Sequence, residues 1–143
     1  SICADLTRQM VEIDSDLKEF GTDVHLVSFS VDPDHDSPEV MRDYMKKFSA
    51  QDDRWTFLTG EKAAIHTLLT DKMPFHVGER KPLTDKPKTD NPDTQSELYE
   101  ISHMGKFAVF DRQGNLRRVV GTTKQEYPQL RNAVEMLLEE SLD

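Results

Sequence analysis

The sequence predicts an α/β fold, a central sheet covered by helices, and three stretches carry that prediction. Val24–Val31 is a nearly unbroken apolar run with Val, Leu and Phe in both alternating registers, the pattern of a strand buried on both faces. It stops at Asp32-Pro33, where proline cannot continue a ladder, and a helix start follows at Ser37-Pro38-Glu39. Further on, Lys106–Asp111 and Asn115–Val120 flank Arg112-Gln113-Gly114, a turn signal that makes them a hairpin. The loop after the central strand lies at the carboxyl edge of the sheet, where open α/β folds place their sites. Taken alone, Asp32–Glu39 is better explained as turn and cap chemistry.

Before the central strand, Leu6, Met10, Ile13, Leu17 and Phe20 recur at steps of three and four, one face of an amphipathic helix. Gly21 stands where a helix C-cap belongs. Cys3 therefore falls at or just before a helix N-terminus, where backbone N–H groups and the helix dipole favour a thiolate. After the strand, Pro38–Phe48 reads as a helix with Asp36 or Ser37 as N-cap and Val40, Met41, Tyr44, Met45 and Phe48 inward. Trp55–Leu58 is a short strand. Glu61–Thr70 is a third helix with Ala64, Ile65, Leu68 and Leu69 inward. From Asp71 to Leu98 regularity fails, and Pro74, Pro82, Pro87 and Pro92 mark residues 71–98 as a long Pro-rich loop, functional, mobile or disordered. The last helix, Tyr127–Glu140, turns Tyr127, Leu130, Val134, Leu137 and Leu138 inward. With no internal repeat and no boundary signal, residues 1–143 read as one domain.

The length of 143 residues suffices for a real core, and the formal net charge is −9. That charge argues against a nucleic-acid surface, which needs a basic patch. No apolar run approaches the ~18–20 residues of a membrane span, and no signal-peptide pattern is visible. The chain opens at Ser1-Ile2-Cys3 without an initiator Met and is read as the trimmed part of a longer protein. One cysteine leaves no disulfide within these residues, and a lone Cys is most often a small buried hydrophobe.

The element order closes with β-β-α, the second half of a thioredoxin-like fold. The first half would be strand, Cys loop, helix, strand. The expected architecture is thus a three-layer thioredoxin-like fold with a central mixed sheet, its N-terminal strand or strands missing from this sequence. At this point the residues resemble a known family. Cys3 opening the first helix, a strand running into Asp32, Pro33, Asp36, Ser37, Pro38, Glu39 and Tyr44, and His103 just before the hairpin together resemble the SCO/SenC family of copper-binding, thioredoxin-like proteins. The resemblance covers nearly the whole chain.

It implies a metallochaperone or assembly factor for the copper A centre of cytochrome c oxidase, with subunit II of the oxidase as partner. It also implies an upstream membrane anchor and a domain facing the periplasm or the mitochondrial intermembrane space. The family binds copper through a C-x-x-x-C pair and one His, so the resemblance makes Cys3 and His103 copper ligands. Cys3 matches the second Cys of the pair, and the first would stand four positions before it, ahead of Ser1. Ala4 stands where the family often has Pro. Thioredoxins and peroxiredoxins place a cis-Pro just before the hairpin strand. Between Ser96 and Phe110 there is none, and His103 occupies that neighbourhood.

Cu(I) favours soft thiolate, and imidazole serves both copper oxidation states. The alternative is a thiol–disulfide oxidoreductase or redox sensor with Cys3 as the reactive thiol, which requires a second, resolving thiol. A third reading is a scaffold that docks a partner through the long loop. Met104 is expected to pack inward, because neighbouring side chains of an extended segment point apart. His35 reads as a solvated turn residue and His25 as a hydrogen-bonded structural one. His66 and His76 have no ligand partner at helical spacing and are assigned no role.

Overall fold

Ile2–Leu17 winds into α1 on the predicted apolar stripe, burying Ile13 and Leu17 and half-burying Met10. The structure, a computed structural model, describes residues 2–48, 53–73, 75–82, 99–103 and 105–140; the side chains of residues 2–3, 79–82 and 99–103 lie outside that description. A 3-10 turn, Lys18–Asp23, leads from α1 to β1 (Leu26–Phe29). Then follow α2 (Pro38–Lys47), β2 (Trp55–Leu58), α3 (Lys62–Thr67) and a π-type turn, Leu68–Lys72. Next come β3 (Val77–Pro82), β4 (Tyr99–His103), β5 (Lys106–Phe110), β6 (Leu116–Gly121) and α4 (Tyr127–Glu140).

The strands form three two-stranded ladders. β1 pairs β2 in parallel, Leu26 opposite Trp55 and Phe29 opposite Leu58. β3 with β4 and β5 with β6 are antiparallel, so among the described residues parallel and antiparallel pairing both occur, in separate ladders. One core joins two of these ladders: Leu26, Trp55, Val109 and Val120 pack with Ile13 and Leu17 of α1 and with Leu130 and Val134 of α4. Helix α2 stands beside α1. Its Tyr44 hydroxyl hydrogen-bonds Thr7 Oγ1 at 3.0 Å, and its ring meets Phe57 edge-on at 6.2 Å. Ser37 caps α2 by accepting the Val40 N–H at 3.3 Å. Backbone hydrogen bonding and the Ser37 hydroxyl hold the Glu39 carboxyl below its usual range.

Four expectations change. The central strand is buried through Leu26 alone, whereas Val27 is 40% exposed. The reason is topological: among the described residues β1 has a ladder partner on one side only. Val40, expected inward, is 39% exposed, and Ala64 is exposed too. The end of α1 is set by more than Gly21. The α-helix stops at Leu17, the 3-10 turn follows, and Gly21 adopts φ 55° and ψ −134°, a conformation that side chains disfavour. Finally, part of the expected loop is regular. Val77–Pro82 forms β3 and pairs with β4, Val77 opposite His103 and Pro82 opposite Tyr99. Pro82 ends its strand, where proline is tolerated. Pro74 and residues 83–98 lie outside the described residues.

Candidate metal centre

The loop that follows β1 is held by hydrogen bonds among its own residues. Ser30, buried, donates its hydroxyl to Asp36 Oδ2 at 2.5 Å and accepts the Asp32 N–H at 3.0 Å. The Asp32 carbonyl accepts the N–H groups of His35 and Asp36 at 3.0 and 2.9 Å. His35 Nδ1 lies 3.0 Å from Asp36 Oδ1, and Lys62 Nζ donates to Asp34 at 2.9 Å. This is turn and cap chemistry, the plain reading of that stretch. Among the described residues no three His, Cys, Asp or Glu side chains are grouped to hold a metal.

Cys3 lies in the first turn of α1, and His103 is the last residue of β4. Both side chains fall outside the described residues, as does Met104. The backbone nevertheless relates their positions. A Cβ built on Gly105, two residues after His103, would stand 3.9 Å from Leu6 Cδ2, three residues after Cys3, and 3.5 Å from Thr122. The chain leaving β4 therefore runs against the first turns of α1, and the two residues belong to the same end of the fold. A thiol and an imidazole there are donor types that suit copper.

Each approach is braced by a residue whose role the sequence did not signal. His66 Nε2 hydrogen-bonds the Val77 carbonyl at 3.0 Å, tying α3 to the residue paired with His103. Spacing along the chain could not show this, because the contact crosses from helix to strand. Arg54, buried, closes the other end of α1 by donating to the carbonyls of Asp14, Leu17 and Gly21. His25 is structural as expected, its Nε2 lying 2.7 Å from Thr56 Oγ1 across the β1–β2 pair. Beyond Gly105, the Glu126 carboxylate accepts the Thr123 hydroxyl at 2.6 Å, which holds its carboxyl below the usual range.

Helices against paired strands, a cysteine opening the first helix and a histidine entering the last hairpin define a thioredoxin-like domain with two donor-bearing residues at one end. The SCO1/SenC family model matches residues 1–139, and the chain belongs to that family. It is 37% identical over 60 residues to the SCO1 protein homolog of Bacillus subtilis (strain 168), which spans 42% of this chain and 31% of that protein, less than a third of the relative's length. The SCO1/SenC family lipoprotein of Bacillus anthracis str. Ames superposes with a TM-score of 0.73 at 26% identity, covering 96% of this chain and 74% of that one. Bradyrhizobium japonicum ScoI, solved with copper bound, superposes with a TM-score of 0.70 at 19% identity, covering 96% and 76%. The last likeness concerns the fold.

Proposed function

We propose that this chain handles copper for assembly of the copper A centre of cytochrome c oxidase, with Cys3 and His103 as ligands and subunit II of the oxidase as partner. The supporting observation is the approach of Gly105 to Leu6, which carries the end of β4 to the start of α1. Thiolate and imidazole together match the soft-donor preference of Cu(I). Two donors leave the ion open to ligands from a partner, which suits transfer better than storage. The family context agrees, since the structural neighbour BsSco is a member of the Sco family of cytochrome c oxidase assembly proteins. The location we propose is the cell envelope or the mitochondrial intermembrane space, through a membrane anchor outside this chain. The Bacillus anthracis neighbour is a lipoprotein, and no described helix here is long and apolar enough to cross a membrane.

The test is competition against a Cu(I) chelator. Cys3→Ala and His103→Ala are each expected to lower affinity by at least ~10-fold, since even outer-shell losses cost that much. Placing a Cys four positions before Cys3 is expected to raise affinity through a second thiolate on the same short loop. Unchanged affinity in both single variants would overturn the ligand assignment. The thiol–disulfide alternative needs a second sulfur, and this sequence carries one cysteine. Turnover of a disulfide substrate by the 143-residue chain would favour that alternative.

A further inference from the structure

The two residues proposed as copper ligands stand on different elements. Their separation is set by whatever holds the chain after β4 against the first turns of α1. Gly105 is the point of contact: a Cβ built on it would lie 3.5 Å from both Thr122 Cγ2 and Thr122 Oγ1 and 3.9 Å from Leu6 Cδ2. One small residue is thus enclosed between α1 and the connection from β6 to α4. β5 begins at Lys106 and β6 ends at Gly121, and these two are register partners. Gly105 and Thr122 therefore lie just past the ladder, and their contact depends on what holds Thr122.

Glu126 holds it. Its carboxylate accepts the Thr123 hydroxyl at 2.6 Å, and its N–H donates to the Thr123 carbonyl at 2.9 Å. The same carboxylate lies so close to Gly121 that a Cβ there would collide with it. The carboxyl is kept below its usual range first by the Thr123 hydroxyl, then by the backbone of Thr123 and of Gly121 and by the charge of Lys106. The residues before and after Thr122 thus meet one carboxylate. Glu126 is itself fixed to α4: its carbonyl accepts the Gln129 N–H at 3.0 Å, and Leu130 and Val134 seat that helix in the core. It immediately precedes α4, whose positive end favours an ionised carboxylate, and hydrogen bonds to a charged acceptor are the stronger kind.

We propose that Glu126 is a positioning residue for the candidate copper site, holding Thr122 against Gly105 and so keeping the chain that leaves His103 beside the first turns of α1. It acts through Gly105 and not on the metal. This role rests on the assignment of Cys3 and His103 to one site, and its test is read without metal. Displacing reacting groups by about 1 Å can cost on the order of 100-fold in rate, so a reaction between positions 3 and 103 reports the device.

The test is cross-linking by dibromobimane in the 143-residue chain carrying His103→Cys. The reagent becomes fluorescent once both its ends have reacted with thiols at short range. Cys3 is the one native cysteine, so a single intramolecular cross-link can form. It is expected to form, and adding Glu126→Ala is expected to slow the second alkylation about 10-fold. Glu126→Gln keeps an acceptor for the Thr123 hydroxyl and is expected to restore part of the rate. Asp111→Ala loosens the far end of the same hairpin, where Asp111 accepts the Gln113 and Asn115 amides, and is expected to leave the rate unchanged. Amide exchange in β5 and β6 shows in each variant whether the ladder persists. No cross-link in the parent form would overturn the shared site, and the role of Glu126 with it. Equal rates with and without Glu126→Ala would overturn the positioning role and leave the shared site standing. Equal slowing by Asp111→Ala, or loss of the β5–β6 ladder in Glu126→Ala, would also overturn it, because either assigns the effect to general stability.

Discussion

Replacing Arg54 by Met removes the guanidinium that closes the C-terminal end of α1 while keeping a side chain of similar reach. Nη1 donates to the carbonyls of Leu17 and Gly21 at 3.1 and 3.4 Å, and Nη2 donates to the Asp14 carbonyl at 3.0 Å and to the Asp14 carboxylate. Arg54 is 5% exposed, so water does not replace these bonds freely. Its own carbonyl accepts the Leu26 N–H at 2.6 Å, so the same residue also starts the β1–β2 ladder. Removing one member of a buried pair costs about 3–5 kcal/mol. Asp14 retains 22% side-chain exposure, which places the expected loss at the lower end, about 3 kcal/mol. Against a domain stability of ~5–15 kcal/mol that is a large fraction. Urea unfolding is the assay, with the midpoint falling at constant m. Arg54→Lys should lose about half as much, because a compact ammonium cannot serve three carbonyls and a carboxylate together. Combining Arg54→Met with Asp14→Asn should cost clearly less than the two single losses added. A loss below ~1 kcal/mol, or strict additivity, would refute the role of Arg54 as the clamp of α1.

Asp111 accepts the Asn115 and Gln113 amides at 2.9 and 3.0 Å around Gly114 (φ 82°), and the Asn115 amide is the first cause holding its carboxyl below the usual range. A lowered carboxyl contributes stability above its unfolded pKa and loses it as pH falls through the folded value. The urea midpoints of the protein and of Asp111→Asn should therefore converge on acidification; curves that stay parallel would rule this out. Gly121→Ala should lower Tm and raise the Glu126 carboxyl toward its usual range in an NMR titration, because the new Cβ meets the Glu126 carboxylate. An unmoved titration would show that the contact is unimportant. His66→Phe removes the bond to the Val77 carbonyl and should speed amide exchange in β4 while leaving β5 unchanged; equal exchange in both forms would remove His66 as a brace.

The parts of the fold that sequence revealed are those with a periodic or punctuated signal. The α1 stripe, the Ser37-Pro38 start of α2 and the Gly114 hairpin each combine apolar spacing with a residue type that fixes the backbone locally. β3 was not legible because Val-Gly-Glu-Arg-Lys-Pro has neither alternation nor an apolar run, and its pairing with β4 is long-range. The exposure of Val27 was not legible for the opposite reason. Its sequence pattern is that of a strand flanked on both sides, and a pattern describes the residues without showing whether the neighbouring strand is there.

The candidate site shows the same division. Residue types make Cys3 a plausible thiolate at a helix start, but nothing in spacing joins it to His103, a hundred positions away; the family resemblance supplied that pairing. The structure adds the approach of Gly105 to Leu6, and with it the means of holding two distant chain segments in one place. One segment is braced from behind by His66 on the Val77 carbonyl, the other by Thr7 on the Tyr44 hydroxyl and, at its far end, by Arg54. Thr7 lies one turn beyond Cys3, Arg54 acts at the far end of the same helix, and His66 holds the residue opposite His103, so both candidate residues stand on anchored elements. The frame is therefore built from contacts between elements far apart in the chain, which is why neither spacing nor composition could show it.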